Sequence, residues 1–148
     1  EKLVIDIDGD ASFLMTMSDM KTIMEYNLPI KIVILNDRRQ MMVNMWEKLF
    51  FKGRYTDIIS KKNPNFKEVA EGFGLKGFYC DDSKYLNSIT EEFLKYPGPA
   101  LCEYKVVPDI CLPFVEPGKG LDEMILFDDY HNTKKPKDPK FDKKDVPC

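Results

Sequence analysis

Two groups of hard oxygen ligands stand out in this 148-residue sequence. Asp6, Asp8 and Asp10 follow the apolar start Leu3-Val4-Ile5, and Asn36-Asp37 follows Lys31-Ile32-Val33-Ile34-Leu35. An apolar run ending in acids and amides reads as a buried strand that delivers polar side chains at its carboxyl end. In open α/β sheets, ligands bind beyond those ends. Carboxylates converging there suit magnesium, which takes few protein ligands and completes its shell with phosphate oxygens and water. Any one of these acids, taken alone, would be read as capping a helix or closing a turn. A Gly9-Asp10-Ala11 turn with a second polar strand end 27 residues on favours a metal and phosphate site.

The elements that must position these groups follow from periodicity. Leu3–Ile7 and Lys31–Leu35 are the first two expected buried strands, Gly77–Cys80 the third and Ala100–Val107 the fourth. Phe13, Met17, Met20 and Met24 recur at helical spacing, with Ser18 or Thr16 as candidate N-cap, and this methionine stripe reads as core packing. Asn27-Leu28-Pro29 stops that helix. A second helix is expected from about Gln40 to Phe50, with Met42, Met45, Trp46 and Leu49 on one side. Asn63-Pro64-Asn65 starts a third, faced by Phe66, Val69, Ala70 and Phe73 and closed by Gly74. Tyr85, Ile89, Phe93 and Leu94 mark a fourth. Alternating strands and helices without an internal repeat predict an α/β domain, a largely parallel sheet with helices on both faces.

Composition narrows the function. With 43% hydrophobic and 32% charged residues the chain is an ordinary globular protein. Its net charge of −3 and the lack of a basic stripe give no reason to expect nucleic acid. No run approaches the ~18 apolar residues of a membrane span. Cys80, Cys102, Cys111 and Cys148 form no CxxC pair, and the lone His131 completes no zinc-type cluster. They read as reduced thiols in an intracellular compartment, Cys80 and Cys102 buried. Residues 1–131 are expected to form the domain, and 132–148, rich in Lys, Asp and Pro, a disordered tail. A strand beginning almost at Glu1, without an initiator Met, makes the domain read as a piece of something longer, incomplete at its N-terminus.

Two metal-and-phosphate families share features with this pattern. Val4-Ile5-Asp6-Ile7-Asp8-Gly9-Asp10 resembles the opening motif of haloacid-dehalogenase-type phosphatases, which would make Asp6 a nucleophile and Asp8 a general acid/base. Asp81-Asp82 would be that family's later acidic pair. Against it, the second strand ends in Asn36 rather than Ser or Thr, no suitable Lys precedes Asp81, and Asp10 stands where Thr is expected.

The fuller resemblance is to acetolactate synthase (acetohydroxyacid synthase). Ile7-Asp8-Gly9-Asp10-Ala11-Ser12-Phe13, Lys31–Asn36, Gln40, Met42-Val43 and Trp46 match that family in order and spacing. So do Arg54-Tyr55, Asn63-Pro64-Asn65-Phe66, Ala70, Gly74-Leu75-Lys76-Gly77, Gly98-Pro99, Leu112-Pro113, Gly118 and Gly120-Leu121-Asp122-Glu123. The match covers roughly residues 3–127 and is nearest to fungal forms. It implies the C-terminal thiamine-diphosphate-binding domain of the catalytic subunit. By this resemblance Asp10 and Asp37 would bind Mg2+ through their carboxylates and Arg39 through its main-chain carbonyl, the metal bridging to the cofactor's diphosphate. Gly9, Ala11 and Ser12 would lie against the cofactor, and Gln40, Met41, Met42 and Val43 would line it from the next helix. Trp46 would shape the substrate pocket and favour 2-ketobutyrate as second substrate.

Two departures are notable. Asp37 replaces the family's Asn, adding negative charge beside an anionic diphosphate. Met41 replaces a Gly, which would be strained by about 1–2 kcal/mol if the site requires a positive φ. The family's activating Glu, its FAD-contacting middle domain and the glycine-rich segment ahead of the first strand have no counterpart here. This sequence therefore supplies no catalytic acid/base, and alone it is not a complete catalyst. The resemblance implies condensation of pyruvate with pyruvate or 2-ketobutyrate, with loss of CO2, in branched-chain amino-acid synthesis. For the full-length enzyme it implies FAD, a homodimer or homotetramer, a regulatory small subunit and, in fungi, a mitochondrial location. The other readings are a non-catalytic remnant, motivated by Asp37 and Met41, and another thiamine-diphosphate enzyme, opposed by Trp46 and Gly118–Glu123.

Overall fold

The computed structural model describes residues 2–109, 114–126 and 128. The chain divides into two compact units: Glu1–Asn44 with Thr56–Pro108, and Met45–Tyr55 with Asp109–Cys148. The expected tail, Cys111, His131, Cys148 and Leu112-Pro113 lie outside the described residues.

The first unit holds four strands, β1 (Val4–Gly9), β2 (Ile30–Asn36), β3 (Lys76–Cys80) and β4 (Ala100–Lys105). All pair in parallel, in the order β1-β2-β4-β3. On one face, Ile32 and Ile34 of β2 and Leu101 of β4 are buried. They pack with Phe13 of α1 (Asp10–Thr16), Met20 of α2 (Met20–Glu25), and Phe66 and Ala70 of α4 (Phe66–Gly72). On the other face, Phe78, Ala100 and Cys102 pack with Phe93 of α5 (Leu86–Lys95). The parallel sheet with helices on both faces is the expected one. No described helix is long and apolar enough to cross a membrane.

Local chemistry explains the element ends. The Asn65 side chain accepts from the Glu68 N–H and caps α4, as Asn63-Pro64-Asn65 predicted. Gly74 closes that helix at φ 88°, a conformation that favours glycine. At Gly77, a Cβ would sit 2.6 Å from the Lys67 carbonyl oxygen, so α4 rests directly on the backbone of β3.

Three expectations change. The first helix begins at Asp10, immediately after β1, and is broken by a 3-10 turn at Met17–Asp19; Thr16 and Ser18 therefore fall inside the helical stretch, and neither caps it. The methionine stripe is only partly core: Met20 is buried, but Met24 is 41% exposed. Among the described residues β1 is an edge strand paired with β2 alone, and Leu3, Val4, Ile5 and Ile7 are exposed rather than buried. Cys80 and Cys102 are buried free thiols, as expected. Burial pushes the Cys102 thiol up to about 11.

The second unit includes most of α3 (Met41–Phe50), whose first turn belongs to the first unit. Within it, Trp46 meets Phe50 edge-on at 5.5 Å and Phe114 edge-on at 5.9 Å, while Phe50 and Phe114 stack at 6.0 Å.

Candidate functional site

β1 and β2 lie side by side in register, with Gly9 opposite Leu35, so the residues following each strand emerge at the same sheet edge. Asp10 opens α1 and is 1% exposed. Its Oδ2 accepts from Asn63 Nδ2 at 2.6 Å. Asp37 is half-buried and its Oδ1 accepts from the Arg39 N–H at 2.9 Å, closing a tight turn. The two acids thus stand together at the carboxyl ends of neighbouring strands.

Their electrostatics fit that placement. Burial pushes the Asp10 carboxyl above its ordinary pKa, against the bonds from Asn63 and the backbone that pull it down. Asp37 is also raised, by burial first and then by the charge of Asp10, while the Arg39 backbone and side chain pull the other way. Two carboxylates at adjacent strand ends, close enough that the charge of one raises the pKa of the other, are of the type that a hard cation takes. Among the described residues no three His, Cys, Asp or Glu side chains converge into a metal cage.

The chain between β2 and α3 is strapped to residues 58–60. Gln40 N–H donates to the Ile58 carbonyl and Ser60 N–H to that of Arg38, both at 2.9 Å. Within this stretch the left-handed residue is Arg38, at φ 61°. Met41 is not among the positive-φ residues and simply opens α3. The strain foreseen for a side chain at this position does not arise, because the turn's unusual backbone lies three residues earlier.

The remaining candidates are distributed as follows. Ser12 donates to the Asp8 carboxylate, and its Oγ lies 3.2 Å from the Gly9 carbonyl. Gly9 and Ala11 are half-buried beside Asp10, and Met41 is half-buried too. Gln40, Met42 and Val43 are exposed, Met42 at 64%. Trp46 belongs to the second unit, in the aromatic cluster described above.

Two residues of the site were not singled out from the sequence. Asn63, read as part of a helix start and of the family match but given no role at the site, bonds to Asp10 and, at 3.1 Å, to Asn36 Oδ1. Glu103, buried in β4, accepts from Asn36 Nδ2 at 2.7 Å and from the Phe66 N–H at 3.3 Å. An acid inside the apolar run Ala100-Leu101-Cys102-Glu103-Tyr104 was the available signal.

Comparison with known proteins decides the family. The model of the C-terminal TPP-binding domain of thiamine pyrophosphate enzymes matches residues 1–104. The chain belongs to the thiamine pyrophosphate enzymes. Within this family it is 43% identical over 129 residues to the mitochondrial acetolactate synthase catalytic subunit of Saccharomyces cerevisiae, covering 86% of the chain and 19% of that protein. It is 42% identical over 126 residues to the acetolactate synthase large subunit of Porphyra purpurea, covering 84% of the chain and 21% of the relative. The chain thus spans about a fifth of the length of these relatives. Its fold is shared with a thiamine diphosphate-dependent 4-hydroxybenzoylformate decarboxylase of Rhodococcus jostii, at TM-score 0.68 and 22% identity, over 74% of this chain and 20% of that one. A match to the thiamine pyrophosphate family removes the support for the phosphatase reading of Asp6 and Asp8.

Proposed function

We propose that the chain is the metal- and diphosphate-anchoring part of an acetolactate synthase that depends on thiamine diphosphate and magnesium. The observation that carries this is the juxtaposition of Asp10 and Asp37, two desolvated carboxylates at adjacent strand ends. Asp10, Asp37 and the Arg39 carbonyl would hold Mg2+, and the ion would clamp the diphosphate. Gly9, Ala11, Ser12 and Gln40–Val43 would flank the cofactor. When bound, the cofactor supplies the carbon–carbon chemistry, and the protein positions it. This chain's residues then have one main task, to hold charge: Asp10 kept rigid by its hydrogen bonds, Asp37 by the turn to Arg39.

On this reading the full-length enzyme condenses pyruvate with pyruvate or 2-ketobutyrate, releasing CO2, for branched-chain amino-acid synthesis. Trp46, braced by Phe50 and Phe114, would border the second substrate. FAD, a homo-oligomer and a regulatory subunit would be properties of the whole enzyme. A mitochondrial location is supported by the fungal relatives named for that compartment.

The test is calorimetric titration of the full-length protein with thiamine diphosphate and Mg2+. Saturable, metal-dependent binding that Asp10→Ala abolishes supports the reading; no binding in the unaltered protein refutes it. One observation favours a second reading, a non-catalytic remnant: Asp37 places an extra charge where the diphosphate would sit. Its signature is a full-length protein that binds no thiamine diphosphate, and saturable binding that Asp10→Ala abolishes rules it out.

A further inference from the structure

A continuous chain of hydrogen bonds runs from the middle of the sheet to Asp10. Glu103 Oε1 accepts from Asn36 Nδ2 at 2.7 Å, Asn36 Oδ1 accepts from Asn63 Nδ2 at 3.1 Å, and the same Nδ2 donates to Asp10 Oδ2 at 2.6 Å. Ionised carboxylates only accept, so the acid at each end fixes which way both amides face. Asn36 must turn its NH2 to Glu103, which leaves its oxygen for Asn63 and for the Arg38 N–H at 3.1 Å. Asn63 must then turn its NH2 to Asp10. Glu103 also accepts from the Phe66 N–H at 3.3 Å, which ties the segment carrying Asn63 to β4. Glu103 and Asn36 are 6% and 7% exposed. A buried carboxyl is costly where an apolar side chain would fill the same space, and here it spends its acceptors on ordering the site.

We infer that Glu103 is a positioning residue for the Asp10 carboxylate, acting through Asn36 and Asn63. This inference rests on the metal-anchoring reading of Asp10. Glu103→Gln keeps only one of the two acceptors, so its NH2 meets either the Phe66 N–H, which loosens the segment carrying Asn63, or the Asn36 NH2. In the second case both amides turn over and Asn63 presents its oxygen to Asp10. The orienting bond then becomes a repulsion. Loss of such an outer partner weakens metal binding by about 10- to 100-fold.

The experiment titrates Mn2+ into the full-length protein with saturating thiamine diphosphate, counting free Mn2+ by electron paramagnetic resonance. Four proteins are compared: unaltered, Asp10→Ala, Glu103→Gln and Asn63→Ala. Asn63 lies outside the helices and strands and is half-exposed, so its replacement breaks the chain without opening the core. Expected is loss of binding in Asp10→Ala and a roughly 10- to 100-fold weaker Mn2+ affinity in both other variants. Their turnover should recover as metal is raised, which a merely unfolded fraction would not do. If Asp10→Ala alone weakens Mn2+ binding, the positioning role is overturned and the metal site stands. If Asp10→Ala binds Mn2+ like the unaltered protein, the metal reading fails and this inference with it.

Discussion

Adding one methyl group at Gly77 tests whether the site depends on how closely α4 lies on the sheet. A Cβ on Gly77 would be 2.6 Å from the Lys67 carbonyl oxygen, 2.7 Å from Lys67 Cγ and 3.1 Å from its carbonyl carbon. The nearest atom is backbone, so the helix must move by several tenths of an ångström instead of a side chain swinging aside. Overpacking of this kind costs about 1–3 kcal/mol. The displaced helix starts at Phe66, whose N–H binds Glu103, and follows Asn63, which binds Asp10. Gly72, in the same helix, is the control, because a Cβ there meets nothing within 4 Å. Alanine at that position should stabilise by up to about 1 kcal/mol through the helix propensity that glycine lacks. Hydrogen–deuterium exchange on the full-length protein reads both locally. Gly77→Ala should speed exchange of α4 and β3 amides by roughly 5- to 150-fold, and Gly72→Ala should slow it or leave it unchanged. Mn2+ affinity should fall with Gly77→Ala only. Equal exchange rates in the two variants would refute the reasoning, as would a Gly77→Ala protein with unaltered protection.

Asp37→Asn keeps an oxygen for the Arg39 N–H but removes the charge facing Asp10. Metal affinity without diphosphate should drop roughly tenfold, on the scale of the ~1–4 kcal/mol attraction of a unit charge. Thiamine diphosphate should bind more tightly at saturating metal; calorimetry that finds both unchanged contradicts the role given to Asp37. Phe114→Ala strips an edge-on partner from Trp46, the single tryptophan of the chain. In a full-length protein carrying no other tryptophan, emission should shift to the red, and an unshifted spectrum would show that Phe114 does not brace the indole. The Cys102 thiol is raised from 9.0 to about 11, so its contribution to stability is complete below pH 9.0 and is lost as pH climbs through about 11. Urea unfolding between those values should show stability falling with pH, less steeply in Cys102→Ala; identical slopes would dispose of the assignment.

The strands and most helices were legible because their apolar runs are short, bounded by Pro, Gly and Asn, and well separated. The exposure of β1 was not, since Leu3–Ile7 reads the same at an edge as in the middle of a sheet, and only strand order distinguishes them. The placement of Asp10 and Asp37 at neighbouring strand ends was legible from their spacing. Asn63 was not, because an amide before Asn65 looks like part of a cap, and its bond to Asp10 spans 53 residues. Glu103 lies still further from any motif. The strain assigned to Met41 depended on knowing which residue of the turn is left-handed, a property that sterics allow at Arg38 and a sequence does not display.

The two departures from the family pattern therefore differ in weight. Met41 sits in ordinary helical backbone, so its side chain costs the turn nothing, and any effect must come from its bulk. Asp37 changes the charge at a point where a like charge already stands, and its carboxyl is raised partly by that neighbour. A cation relieves this repulsion directly. A site with two such carboxylates gains more from its metal than one with a carboxylate and an amide, and it repels a diphosphate more strongly when the metal is absent. On the proposed reading, that imbalance sets the order of binding: metal first, or metal and diphosphate together. Pre-incubating the full-length protein with thiamine diphosphate in chelator, then adding Mg2+, should give no faster onset of activity than adding both at once, and a faster onset would show that the diphosphate reaches the site without its counter-charge.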